Sequence, residues 1–164
     1  MQDSGSDGSR MIGGLIQGGH TIAMVMTMVD GQHTSRPVTV IEVHDSDLKC
    51  LVDQRSEWVH SVSQGHAVAH VSIADERHNT YLSLNGHATI TRDAAELVRL
   101  WSPLAKPWFD GPTDPNLAVL TFTTTDGQYW DGPDGKIASA IGLARAIVKG
   151  DDAPLGEHGT VVGG

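Results

Sequence analysis

From residue 20 to residue 124 the chain reads as one strand candidate after another, and that succession limits the folds open to it. Residues 20–29 (HTIAMVMTMV) are apolar and β-branched and run into Asp30-Gly31, a dipeptide suited to a tight hairpin. Residues 34–44 follow, then the acidic turn Asp45-Ser46-Asp47 and residues 48–52, which completes a meander. Residues 66–74 and 80–91 flank the polar turn 75–79, and residues 117–124 are a last strong strand that 128–130 can continue. About six strands of similar length predict a mostly β fold, an antiparallel barrel trimmed by short helices.

The helical signals are fewer. Ser9 can cap a short helix over 10–17 that Gly18-Gly19 ends, and residues 56–64 read as another. Asp93 caps 94–100, with Leu97, Val98 and Trp101 on its apolar side, and residues 136–148 carry Ile137, Ile141, Ala144 and Ile147 at helical spacing. At 164 residues one domain is expected, spanning 10–150, between a disordered segment over 1–9 and a flexible tail over 151–164. Residues 102–116 hold four prolines and read as a long ordered loop, a length that is uncommon unless functional.

A formal charge of -9 argues against a nucleic-acid partner, which needs clustered Lys and Arg. The one cysteine, Cys50, sits in an apolar run and reads as a buried structural residue. The first ten residues are polar and do not resemble a secretory leader, and no run approaches the ~20 apolar residues of a membrane span, so a cytoplasmic location without membrane association is expected. The nine histidines are scattered. His66 and His70 share a strand, where residues four apart lie ~13 Å from each other, too far to chelate one ion, so no metal site is expected. The glycine-rich stretches fit neither a dinucleotide nor a phosphate loop, and no side chain stands out as a catalytic acid, base or nucleophile.

Three features are less generic. Pro37 removes a ladder donor from a strand and predicts a bulge or an edge there, where the neighbouring Arg36 could offer a fork of donors to a phosphate or a carbonyl-rich ring. Residues 52–58 lead from a strand into a helix beginning at Ser56, a geometry that serves equally as a plain cap and as an anion site. Aromatic residues make up only 5% of the chain, yet Trp101, Trp108 and Phe109 flank the long loop and Tyr129-Trp130 ends the last strand. Such clustering suits a pocket or a subunit interface that stacks a flat ring, although Trp101 also fits simple packing beside Leu97.

With these residues in view, the chain resembles the general stress protein 26-like branch of the pyridoxamine 5'-phosphate oxidase-like superfamily of FMN-binding split barrels. The resemblance is carried in order by Ser35-Arg36-Pro37, Trp101-Ser102-Pro103, Trp108-Phe109-Asp110-Gly111-Pro112, Asp114-Pro115-Asn116-Leu117 and Tyr129-Trp130-Asp131-Gly132-Pro133. It implies a six-stranded split β-barrel, a homodimer with flavin at the interface, and an oxidoreductase-like function. By the same resemblance Arg36, Pro37 and Val38 lie along the flavin ring, Ser56 holds the phosphate and Trp130 comes from the partner subunit. Lys136 stands where the true oxidases carry an arginine, but Ala138 replaces the histidine that follows, so oxidation of pyridoxamine 5'-phosphate is not expected. Trp58 stands where the family has a phosphate-binding lysine and Val52 where it has a threonine; Arg55 is the nearest substitute cation. FMN is therefore expected to bind more weakly than in the family at large, with FAD or a deazaflavin as alternatives, and a flavin-binding or flavin-sequestering stress protein without turnover is the competing reading.

Overall fold

The computed structural model describes residues 21–77, 79–131 and 157–162. Strands β1 (Thr21–Val29), β2 (Gln32–His44) and β3 (Asp47–Asp53) form the meander, followed by helix α1 (Glu57–Ser63), β4 (Val68–Asp75), β5 (Thr80–Thr91), helix α2 (Ala94–Leu100), a 3-10 turn at Pro103–Ala105, the 15-residue β6 (Leu117–Asp131) and β7 (Glu157–Val162). All pairings are antiparallel, in the order β3-β2-β1-β4-β5-β6-β7, and β3 also pairs with β6. That last pairing closes a six-stranded barrel, leaving β7 as an added edge on β6. The predicted split-barrel architecture stands.

Local chemistry explains the turns. Asp30 and Gly31 both have positive φ, 49° and 75°, as the tightest hairpin turn requires. Asp45 and Asn79 take the same left-handed conformation at the other two hairpins, where short polar side chains tolerate it. Asp93 accepts a hydrogen bond from the Glu96 amide at 2.8 Å, a cap worth ~1 kcal/mol to α2.

The barrel interior is filled by alternating side chains, among them Val25, Val40, Leu48, Leu82, Leu84 and Phe122, with Val59 and Val62 of α1 joining the same core. A second cluster lies outside the barrel wall, where Leu97 and Leu100 of α2 and Ala105 and Phe109 of the long loop pack on Leu117 and Val119. Lys49 pairs with Glu96, and Arg99 forks onto Glu42, fixing α2 across β2 and β3.

Two features differ from the sequence reading. The bulge expected at Pro37 lies instead between Val40 and Glu42, in the β2–β3 pairing. Pro37 keeps regular register with Met24 of β1, and β3 pairs with β2 only from Val40 onward, so the proline sits on a stretch of β2 with one open edge, where a missing donor is tolerated. Glu157–Val162, within the segment read as a flexible tail, form β7; the β-branched run Thr160-Val161-Val162 suits a strand laid beside β6. The helices expected over 10–17 and 136–148 lie outside the described residues.

Cys50 is buried in the barrel, and loss of solvation pushes its thiol up to about 12. It should resist alkylation by iodoacetamide at pH 8 in the native protein and react in denaturant; rapid native labelling, followed by intact mass, would contradict that burial.

Candidate functional site

A half-open cleft of about 250 Å3 lies beside the open edge of β2. One side is built from Arg36, Pro37 and Val38 of β2 and from Val52 and Asp53 at the end of β3; Trp58 of α1 closes it below. The opposite wall is the long loop, through Leu104, Ala105, Trp108 and Phe109. Phe109 is buried in the outer cluster, whereas Trp108 is 73% exposed, so the loop anchors one aromatic ring and presents the other at the surface of the cleft.

The loop owes its shape to Asp114. Its buried carboxylate accepts hydrogen bonds from the backbone amides of Asp110 and Asn116 at 2.9 and 2.8 Å, while Arg92 donates to the carbonyl oxygens of Leu117 and Asp114. Those amide bonds hold the Asp114 carboxyl below the usual carboxylate range. A depressed folded-state pKa adds stability that is present above the unfolded value, near ~3.9, and is lost as pH falls through the folded one. Acidification below about pH 4 should therefore loosen the loop, read as a change in tryptophan emission, and Asp114→Asn should show the loosened spectrum already at neutral pH. A variant with the wild-type spectrum across that range would sink this account of the loop.

Arg36 is the polar centre of the cleft. Its guanidinium lies 4.6 Å from the centre of the Trp58 ring, and Nη1 donates to the Thr27 hydroxyl at 2.7 Å and to the Val25 carbonyl oxygen at 3.4 Å. Nη2 donates to the Thr34 hydroxyl. The indole beneath and the two threonines beside it hold the arginine plane in one orientation; partial burial lowers its pKa from the ordinary value, yet it stays cationic at neutral pH.

At the entry to α1, Asp53 orders the turn by accepting the Arg55 amide at 2.9 Å. The Arg55 side chain forks back onto the same carboxylate, with Nη2 to Oδ2 at 2.7 Å and Nε to Oδ1 at 3.0 Å. That hydrogen bond holds the Asp53 carboxyl below its ordinary range. Ser56 is the residue before the helix, and its hydroxyl makes no capping bond. Gln54 ties this turn to the end of the long loop, through its amide to the Asn116 carbonyl oxygen at 2.9 Å and its side chain to that of Pro115 at 2.5 Å.

The structure thus brings Arg36, Pro37, Val38 and Trp58 into one cleft. Ser56 and Arg55 stand in the adjoining turn, outside the lining, and Arg55 is occupied by Asp53. Trp130 does not line the cleft; it lies 44% exposed beside Tyr81, its cross-strand neighbour. Lys136 lies outside the described residues. Sequence reasoning missed Asp53 and Leu104. The spacing of Asp53 and Arg55 was the available signal, since an aspartate commonly bonds the backbone two residues on. Among the described residues no group of three or more His, Cys, Asp or Glu side chains is placed to hold a metal ion, and no helix is long and apolar enough to cross a membrane.

Comparison with known proteins bears on the fold and the lineage. The family model described as pyridoxamine 5'-phosphate oxidase like matches residues 9–154. No curated protein matches the chain. Among solved structures, general stress protein 26 from Bacillus anthracis str. Sterne superposes with a TM-score of 0.65 at 21% identity, covering 74% of this chain and 92% of that one. The general stress FMN/FAD binding protein from Xanthomonas citri gives 0.63 at 23% identity, covering 77% and 89%. An F420 reductase gives 0.51 at 15% identity, covering 64% and 86%. These likenesses show the fold, and the match over residues 9–154 shows the lineage: the chain belongs to the pyridoxamine 5'-phosphate oxidase-like family.

Proposed function

We propose that this protein binds a flavin-type cofactor in the cleft between β2 and the long loop, as an oxidoreductase-like member of its family. One observation carries the reading: a planar cation, Arg36, is fixed on the Trp58 ring in the floor of a cleft whose walls are otherwise largely apolar. Such a site suits a flat ring with carbonyl edges, which needs stacking surface and a few placed donors. The ring end of FMN fits this lining. The phosphate end fits poorly, because Asp53 already holds the nearest cation, Arg55. When bound, the cofactor supplies the electron chemistry; Arg36 orients the ring, and Leu104 and Trp108 exclude water from one side.

The working form is a homodimer with the cleft at its interface. Support comes from Ile22 and Met24 on the outward face of β1, 55% and 41% exposed, which are cross-strand neighbours of Thr39 and Pro37 on the cleft rim. A second copy covering this apolar rim would deepen the cleft, and Trp130, outside its own chain's cleft, is free to reach the partner's. We place the protein in the cytoplasm, in keeping with its acidic composition and single buried cysteine.

A reading without turnover has its own support, since among the described residues the titratable groups lining the cleft are Arg36 and Asp53, and both make bonds within the chain. Titration of the purified protein with FMN, FAD and a deazaflavin, followed by fluorescence quenching, tests the binding. Saturable quenching at micromolar concentrations is expected for at least one of them, and none for all three would defeat the proposal. Reduction of the bound cofactor by NADH or NADPH separates turnover from storage.

A further inference from the structure

We propose that the cleft selects the unphosphorylated flavin, so that riboflavin, with its neutral polyol tail, binds at least as tightly as FMN. This rests on the flavin reading above and concerns the tail end of the same site. The cleft of about 250 Å3 lies just below the ~300–1,000 Å3 that houses a drug-sized ligand, so it accepts a ring system; Asp53, which lines it, also orders the turn into α1, and a tail leaving on that side meets that turn. The charges there are arranged against a phosphate. Arg55 is forked by Asp53, whose carboxylate lines the cleft, and it also feels Asp114 nearby. Glu57 adds a further acidic side chain in the first turn of α1.

Among the described residues, no other Lys or Arg belongs to the α1 turn. Arg36, held by Thr27 and Thr34, serves the ring end; Lys49 is held by Glu96, Arg92 is turned to the carbonyl oxygens of Leu117 and Asp114, and Lys106 stands on the long loop, outside the lining. Trp58, in the first turn of α1, lines the cleft and brings no positive charge to a phosphate. Arg55 keeps Nη1 for a phosphate, but Asp53 stays forked on Nε and Nη2, so a dianion that reached the guanidinium would meet the carboxylate beside it. A charged contact of this kind ordinarily adds one to two decades of affinity, and that increment is cancelled here. A polyol hydroxyl, by contrast, can donate to Asp53 and leave the ion pair intact.

Parallel titrations of the wild-type protein with riboflavin and FMN, by flavin fluorescence quenching, test this directly. A riboflavin Kd equal to or below that of FMN is expected. Tighter FMN binding would overturn the preference and leave the flavin reading standing, whereas no binding of either would overturn both. Asp53→Asn, which releases Arg55, should raise the affinity for FMN relative to riboflavin about tenfold, one charged contact regained. An unchanged ratio in a folded variant would show that the ion pair does not set the preference.

Discussion

Replacing Gly86 with alanine is expected to cost the barrel about 3 kcal/mol or more, the upper end of what overpacking does. At this point in β5 the register against β6 shifts, between Asn85 and Gly86, and the two backbones come unusually close. A Cβ on Gly86 would stand 2.0 Å from the carbonyl oxygen of Thr123 and 2.9 Å from the ring of Phe122. The first of these neighbours is main chain within the β5–β6 ladder, so it cannot swing aside as a flexible side chain would. Phe122 cannot yield cheaply either, because it is among the largest fully buried side chains of the barrel. The whole fold of a domain this size rests on ~5–15 kcal/mol, so the change is a large share of it. In urea the midpoint should drop by about 1–3 M, given slopes of ~1–3 kcal/mol/M. Gly111→Ala is the matched control: its Cβ would meet nothing within 4 Å, and the variant should stay within ~0.5 kcal/mol of wild type. Equal midpoints for the two variants would mean that the strands do not meet as described.

The strands and their turns were legible because their causes are local. The alternation in β5 places Leu82, Leu84 and Ala88 inward, Asp30-Gly31 supplies two positive φ values, and Asp93 caps its own helix. Barrel closure has no such local mark. Leu48 meets Phe122 through the β3–β6 pairing, and only the packing of a shared core selects that partner. The position of the bulge escaped for a related reason, since Pro37 is tolerated by an edge that exists only once β3 stops pairing at Val40. In the site, the Arg36 and Trp58 positions were readable, but their contact was not, because it joins a strand to a helix across the barrel end. Arg55 reads in the sequence as the nearest substitute for a missing lysine; its engagement with Asp53 depends on the turn geometry between them. The short β-branched run in β7 has strand propensity, but the β6 edge that it pairs with has no mark near it in the sequence.

Arg36→Ala should weaken flavin binding by about 10- to 150-fold, the effect of losing one charge-assisted contact of ~1.5–3 kcal/mol. The substitution also removes the partner of the Thr27 hydroxyl, in a residue only 1% exposed, so some loss of stability is expected alongside. Stability and affinity must therefore be read separately, the first by urea denaturation and the second by quenching at a temperature where the variant is folded. Arg36→Lys sharpens the distinction. Lysine keeps the positive charge, but its compact ammonium cannot lie flat on Trp58 or serve Thr27 and Thr34 together while facing a ring. If the planar fork is what binds, the Arg36→Lys variant should recover little of the lost affinity. If charge alone matters, it should recover most of it. A third pattern, in which Arg36→Ala destabilises the barrel but leaves the flavin Kd unchanged, would make Arg36 a buttress for β1 and β2 and move the binding site elsewhere. Trp58 provides an internal reporter for the first pattern: its emission should shift when the guanidinium above it is removed, and shift again only if a flavin enters the cleft.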